Sequence, residues 1–425
     1  MTWSDKDETF IWHPFSPLKG VESPLVIERA EGIYLYTEDG RKIIDAVSSW
    51  WVNLHGHSNK YIAEKVSRQL TELEHVIYAG FTHKPSITLA ERLLKVLPEN
   101  QSKIFYSDNG STAVEVAVKL ALQFWFNKGT PKKKIVAIDG AYHGDTFGAM
   151  SVGERSIFTK PFFSFLFNVE FIPFPTANNN EEVINQFRTT VEQNDVAAFI
   201  FEPLVQGAAG MRIYSQEVLD QLLAMSKAND VVTIADEVMT GFGRTGQLFA
   251  SDHLLHKPDL ICLSKGLTGG TMALGATACS NKIVNMFQSS DLERAFLHGH
   301  SYTANPLACT AANASLDLLL TDESKSSIAR IADRNSIFVK KIKPFSSVKD
   351  ARSVGTILAV EFSSSESSSY LSEMRNRIYP FFLERNILLR PLGNLLYVIP
   401  PYVMTNKELD LIYNAIEEFL ETLNS

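Results

Sequence analysis

Val231-Val232-Thr233-Ile234-Ala235-Asp236-Glu237 opens the stretch whose reading decides the fold; Gly241-Phe242-Gly243-Arg244-Thr245-Gly246 follows, then Leu260-Ile261-Cys262-Leu263-Ser264-Lys265-Gly266. The first five residues are apolar and rich in β-branched side chains, which predicts a buried strand, and two acids close it. The second apolar run predicts another strand, and Lys265 stands at its carboxyl end. Glycines at 266, 269, 270 and 275 leave the backbone there room for something bulky. In open α/β sheets the ligand crevice lies outside the carboxyl ends of the strands, so Asp236 and Lys265 point into one site.

Taken singly, Asp236 reads as a helix cap and Lys265 as a solvated loop lysine. The combination reads differently. A lysine in an enclosed site can form a Schiff base with a carbonyl, and a carboxylate facing a pyridine nitrogen keeps that nitrogen protonated. Together they are a protein's share of pyridoxal-phosphate (PLP) chemistry.

The same pattern recurs upstream. Ile104-Phe105-Tyr106 predicts a strand, followed by Ser107-Asp108-Asn109-Gly110-Ser111-Thr112 and a helical run from Ala113 to Phe126. Thr112 and Glu115 have capping-box spacing, and a small-residue turn opening a helix presents free N–H groups that suit a phosphate. Alone, it is a plain helix cap. Ile135-Val136-Ala137-Ile138 runs into Asp139-Gly140-Ala141-Tyr142-His143-Gly144, where Tyr142 can stack on a flat ring. Ala197 to Phe201 runs into Glu202-Pro203, whose role the sequence leaves open. From Tyr61 onward helix and strand alternate, which predicts an α/β fold with a mostly parallel sheet covered on both faces. One crevice then collects the strand ends.

The flanks differ. Ile33 to Thr37, Glu38-Asp39-Gly40 and Arg41 to Asp45 predict a hairpin, and Ser48-Ser49-Trp50-Trp51 follows, a tryptophan pair that is more often core than pocket. Beyond residue 320 the chain predicts a strand at Val354–Val360, a helix at Tyr370–Glu384, a strand at Leu395–Ile399 and a helix at Asn406–Leu423. The division is an N-terminal segment 1–59, a large cofactor-binding domain 60–322 and a small C-terminal domain 323–425.

The chain has 425 residues, 45% of them hydrophobic, which is ample for a large core. Its formal net charge is −8, with no basic cluster beyond Lys132-Lys133-Lys134, which argues against nucleic acid. The three cysteines lack metal-ligand spacing and read as reduced core residues; no metal site is expected. With no apolar run long enough for a bilayer and no basic, apolar leader at the N-terminus, a cytoplasmic location is expected. Asn178-Asn179-Asn180 and Ser363–Ser369 read as surface loops.

The Asp236–Lys265 segment, the Gly110-Ser111-Thr112 turn, Tyr142-His143-Gly144, and Gly299-His300-Ser301-Tyr302 to Asn305-Pro306-Leu307 together resemble the class III aminotransferases, PLP enzymes of fold type I. The resemblance covers nearly the whole chain. Within that class, Trp12-His13-Pro14, Ser48-Ser49-Trp50-Trp51, and Leu389-Arg390-Pro391 with Pro400-Pro401-Tyr402 resemble the 7,8-diaminononanoate synthases of the biotin pathway. The resemblance implies a large domain with a mostly parallel seven-stranded sheet, and a small α/β domain built from the N- and C-terminal segments. It implies that Lys265 holds PLP, Asp236 pairs with its ring nitrogen, Tyr142 stacks on the ring, and Gly110 and Ser111 bind its phosphate. Ser301, where threonine is usual, would reach the phosphate of a neighbouring subunit, which implies a homodimer with shared sites. Phe15, Trp50, Trp51 and Gly299 would line the substrate site, and Arg390 would meet the substrate carboxylate. The implied substrates are 8-amino-7-oxononanoate and, as amino donor, S-adenosylmethionine. Two departures stand out: Phe15 replaces a tyrosine whose hydroxyl helps place the substrate amine, and Ala304 replaces a glycine. Two other readings stay open: a class III enzyme for ω-amino acids, ornithine or a semialdehyde, and a cofactor-binding relative without catalysis. Trp50-Trp51 and Arg390 oppose the first of these; retention of both Lys265 and Asp236 opposes the second.

Overall fold

The computed structural model describes residues 1–363 and 373–424. The loop expected from Ser363 to Ser369 lies outside the described residues after its first residue. So does the start of the helix expected at Tyr370, which is described from Glu373 to Glu384.

Strands β1 (Ile27–Glu31), β2 (Tyr34–Thr37) and β3 (Lys42–Asp45) come first in the chain. The central strands are β4 (Gln101–Ser107), β5 (Lys134–Ile138), β6 (Glu170–Ile172) and β7 (Val196–Phe201). After a short pair, β8 (Val205–Gln206) and β9 (Arg212–Ile213), come β10 (Val232–Asp236), β11 (Leu260–Leu263) and β12 (Gly275–Ser280). Seven of these form one sheet in the order β4-β12-β11-β10-β7-β5-β6. All run parallel except β12, which is antiparallel to both neighbours.

The sheet is covered on both faces, so its strands read as continuous apolar runs. Alternate residues part to opposite faces: Phe199, Phe201, Ala235 and Ile261 join the larger core, while Ala198, Ile200, Ile234 and Cys262 pack with the helix Gly110–Asn127. All three cysteines are free and buried. That alternation also separates Asp236 from Glu237. Glu237 turns away and is satisfied by the Thr240 hydroxyl and by the N–H groups of Ala250 and Ser251.

The segment expected as one strand, Val354–Val360, is instead a hairpin. Strand β13 (Val348–Val354) turns at Gly355 into β14 (Ile357–Phe362), and β14 also pairs with β16 (Leu395–Val398). Gly355 has a φ of 53°, and a Cβ there would strike the carbonyl of Arg244 and the backbone of Gly246. Only glycine fits this turn without strain. The expected hairpin β2–β3 forms, with β1 beside β2, and the short β15 (Ile387–Leu388) pairs in parallel with β3. One small sheet therefore joins residues 27–45 to the C-terminal part of the chain. The N-terminus itself carries a helix, Trp3–Phe10, capped reciprocally by Thr2 and Asp5.

Candidate active site

Lys265, at the end of β11, and Asp236, at the end of β10, line one cavity of about 500 Å³ together with Gly110, Ser111, Tyr142, His143 and Glu202. The volume suits a small cofactor. Each side arises from a different strand end, as the switch from strand to loop dictates in a parallel sheet. The phosphate-type corner is the start of the helix Gly110–Asn127. Its cap is Asn109, whose side chain accepts from the Thr112 N–H while the Thr112 hydroxyl accepts from the Asn109 N–H. The box expected between Thr112 and Glu115 is thus displaced by three residues. Glu115 instead accepts from the Thr146 hydroxyl at 2.5 Å and the Gly148 N–H at 2.7 Å. It ties the loop carrying Tyr142 to this helix. The first N–H groups of a helix have no intrahelical acceptor, so those of Gly110 and Ser111 remain for an anion. Gly144 lies against them so closely that a Cβ would collide with Ser111.

At the opposite corner the Asp236 carboxylate accepts from His143 Nδ1 at 2.7 Å and from the Val238 N–H at 3.1 Å. A carboxylate only accepts, so His143 carries its proton on Nδ1; its Nε2 is buried without a partner. Glu202 is buried and accepts from the N–H groups of Tyr142 (3.1 Å) and Gly207 (2.9 Å). Burial, and secondarily the charge of Asp236, pushes its carboxyl up to about 7, against the opposing pull of His143 and the two N–H groups. Burial pulls the Lys265 amine down to about 8, opposed by Asp236 and Glu202 and assisted by Arg244. Desolvation disfavours whichever form is charged, so both groups move toward neutrality. Burial, then Asp145, raises the Tyr142 phenol, whose hydroxyl donates to Asp145 at 3.0 Å.

A second cavity of about 480 Å³ opens from the first across Trp51, Tyr142 and Lys265, and extends past Phe15, Trp50 and Phe158 to Arg390. Its walls are mainly apolar. The edge of Phe15 meets Trp50 at 5.6 Å and Phe158 at 6.1 Å between centroids, and the Arg390 guanidinium lies 4.3 Å from the centroid of Trp50. The Lys265 amine sits 4.4 Å from the centroid of Trp51. Both tryptophans belong to a turn with unusual geometry: Ser48, Ser49, Trp50 and Trp51 all have positive φ, at 51°, 44°, 72° and 74°. This is a left-handed helical turn, closed by bonds from the Trp51 N–H to the Val47 carbonyl and from the Val52 N–H to the Ser48 carbonyl. Left-handed conformation costs roughly 1–2 kcal/mol for each L-residue, so the surroundings must hold it.

Residues 16–420 match the family model for class III aminotransferases. This chain belongs to the class III aminotransferases. It is 48% identical to the adenosylmethionine-8-amino-7-oxononanoate aminotransferase of Synechococcus elongatus, over 97% of this chain and 99% of that one. The crystal structure of the enzyme of the same name from Methanocaldococcus jannaschii superposes with a TM-score of 0.91 at 37% identity, covering 98% of both chains. An amine transaminase from an uncultivated Pseudomonas species, solved with PLP bound, gives a TM-score of 0.90 at 27% identity, covering 96% of this chain and 97% of that one.

In this aminotransferase the structure brings Lys265, Asp236, Tyr142, Gly110 and Ser111 to one cavity, and Phe15, Trp50, Trp51 and Arg390 to the adjoining one. Gly299 and Ser301 are exposed and line neither cavity within one chain. Ala304, where the resemblance leads one to expect glycine, has a φ of 55°, which accounts for that expectation. Sequence reasoning left three residues of the aminotransferase without a role. Glu202 ends a predicted strand, a signal that was present but unassigned. His143 reaches Asp236 from 93 positions away, and no local pattern carries that pairing. Arg244, in the turn-rich loop, is fully buried behind Trp51.

Proposed function

We propose that this aminotransferase converts 8-amino-7-oxononanoate to 7,8-diaminononanoate in biotin biosynthesis, with PLP as cofactor and S-adenosylmethionine as amino donor. The observation that carries the reading is the continuous cleft from the Asp236–Lys265 corner, along an apolar aromatic wall, to Arg390. Its length and apolarity suit a long chain with an amino ketone at one end and a carboxylate at the other.

The residues present fit PLP. Gly110 and Ser111 offer N–H groups and a helix N-terminus to a phosphate, Gly144 packs against Ser111 where any Cβ would collide, and Tyr142 offers an aromatic face. When bound, PLP supplies an electron sink for the carbon that exchanges its amine. Asp236, anchored by His143 and Val238, holds a proton on a ring nitrogen brought against it. Lys265, with its amine brought down to about 8, is neutral in part of the population at neutral pH, so it can take a proton from the substrate carbon and return it. Phe15, Trp50 and Phe158 keep water from the apolar span, and Arg390 binds the far carboxylate through its planar fork.

The same reading makes the protein a cytoplasmic homodimer in which Ser301 and Gly299 complete the partner's site, and divides each chain at 59/60 and 322/323. Among the described residues, no helix is long and apolar enough to cross a membrane. A turnover assay with 8-amino-7-oxononanoate and a panel of donors tests the function. Diaminononanoate formed with S-adenosylmethionine is expected; turnover with lysine alone would change the donor. Inactivity on this acceptor with activity on ω-amino acids would move the chain to another branch of its class.

A further inference from the structure

A third cavity, of about 570 Å³, lies beyond Phe158. It shares Glu154, Ser156, Phe158 and Leu392 with the apolar cavity that leads to Arg390, so the two adjoin across one wall of side chains. Its volume falls within the ~300–1,000 Å³ usual for small-molecule sites. Its chemistry differs from its neighbour's. Arg212 from β9, Arg352 from β13, Glu361 from β14 and Asn394, just before β16, give it polar walls.

Most of these groups are already engaged. Arg352 pairs with Asp350 at 2.6 Å and with Glu361 at 3.5 Å, and Lys349 meets Glu361 at 2.7 Å. Arg212 donates to the Asp139 carbonyl at 3.0 Å and to the Gln206 side chain at 2.5 Å. Three positions are left over. Among the described residues, the Glu154 carboxylate has no hydrogen-bond or ion-pair partner. Asn394 is 2% exposed; its Nδ2 donates to the Phe362 carbonyl at 2.8 Å, while its Oδ1 is buried without a partner, as is Arg212 Nε. A buried polar atom left unpaired costs free energy, and it marks a place where a ligand atom can complete the pairing.

The two substrates differ in what they ask of the protein. 8-Amino-7-oxononanoate is apolar between its two ends, and the cleft to Arg390 supplies an apolar wall. Past its sulfonium, S-adenosylmethionine carries a ribose with two hydroxyl donors and a purine whose amine donor stands beside ring-nitrogen acceptors. An apolar wall satisfies none of these. We propose that the third cavity is the subsite for the nucleoside end of the amino donor, with the Glu154 carboxylate accepting from the ribose hydroxyls and with Asn394 Oδ1 and Arg212 Nε meeting the purine edge. The inference rests on the reading of S-adenosylmethionine as donor. Carboxylates take ribose hydroxyls in dinucleotide sites, and amide side chains pair with the adenine edge in DNA readers. Donor and acceptor then share the reacting corner and diverge at Phe158, which lets one ping-pong enzyme hold two unlike molecules in turn.

Glu154→Gln in the PLP-loaded enzyme keeps the shape and removes the charge. The Glu154 N–H donates to the Ala141 carbonyl at 2.7 Å, so the backbone is anchored whatever the side chain. Each half-reaction is followed alone by the cofactor's absorbance. Losing a hydrogen bond to a charged group should raise the half-saturating S-adenosylmethionine concentration about tenfold, with the acceptor half-reaction moving less than about twofold. Adenosine, which has neither sulfonium nor reactive amine, should compete with the donor in the wild type and bind about tenfold more weakly in the variant. Unchanged donor saturation would overturn the proposal. So would donor weakening with adenosine competition at its wild-type strength, or no competition by adenosine at all, since the carboxylate would then act on the sulfonium or on folding. If Glu154→Gln yields no folded holoenzyme, Ile157→Trp decides: Ile157 is exposed and lines only the third cavity, and filling it should weaken adenosine and the donor together. Wild-type affinities there would overturn the subsite. A wild-type enzyme that turns over lysine and not S-adenosylmethionine would overturn the donor reading instead, a distinct result.

Discussion

Asp236 has its orientation fixed twice, by His143 Nδ1 at 2.7 Å and by the Val238 N–H at 3.1 Å, leaving the rest of its carboxylate to the cavity. Asp236→Asn keeps the shape and removes the charge that would hold a ring nitrogen protonated. Single-turnover measurement of the donor half-reaction should show a fall of ~10²- to 10³-fold with cofactor still bound; an unchanged rate would refute the role. Phe15→Tyr tests the departure near the N-terminus. The added hydroxyl lies on a ring already packed edge-on to Trp50 and Phe158, and a hydrogen bond to a charged group contributes ~1.5–3 kcal/mol, so kcat/KM should rise about tenfold or more. A loss would mean the pocket has formed around phenylalanine. The two charged residues at the strand ends were legible because a strand's carboxyl end is a predictable address. Their supports were not, since the bond from His143 to Asp236 depends on how β5 and β10 are placed in one sheet.

Among the elements, β15 does the most with the fewest residues. Its parallel register against β3, Ile387 opposite Ile44 and Leu388 opposite Asp45, brings Arg390 alongside the turn that follows β3. The arginine and the tryptophan it covers are thereby delivered together by one small sheet. Arg390→Ala should raise KM for 8-amino-7-oxononanoate steeply, since truncating one partner of a buried charged pair costs ~2–5 kcal/mol, while the donor half-reaction falls far less. Equal loss in both halves would assign Arg390 to folding instead. The hairpin β2–β3 could be read from its glycine-containing turn. The left-handed turn after it could not: Ser-Ser-Trp-Trp contains neither glycine nor asparagine to signal positive φ, and the conformation is imposed from outside by Asp45, Ile399 and Arg244. The β13–β14 hairpin was missed for a different reason, because the apolar run from Ile357 to Val360 outweighed the single glycine at its edge.

For the whole molecule, the alternation of apolar strands and helices was enough to place a mostly parallel sheet with its crevice at the carboxyl ends, and the 7-stranded order bears this out. Gly299 and Ser301 stay outside the crevice of their own chain, which is the geometry expected of residues that serve a second copy. Light scattering should give twice the 47.5 kDa chain mass, and Ser301→Ala should weaken PLP binding; a fully active monomer would contradict the shared site. The central claim is that Lys265 and Asp236 form a PLP site. It is tested most directly by reducing the purified protein with borohydride and mapping the labelled peptide by mass spectrometry. The account predicts a yellow protein whose colour is lost on reduction, with the pyridoxyl group on Lys265 and no label in Lys265→Ala. A wild-type protein with no reducible chromophore, or a label on another lysine, would contradict it.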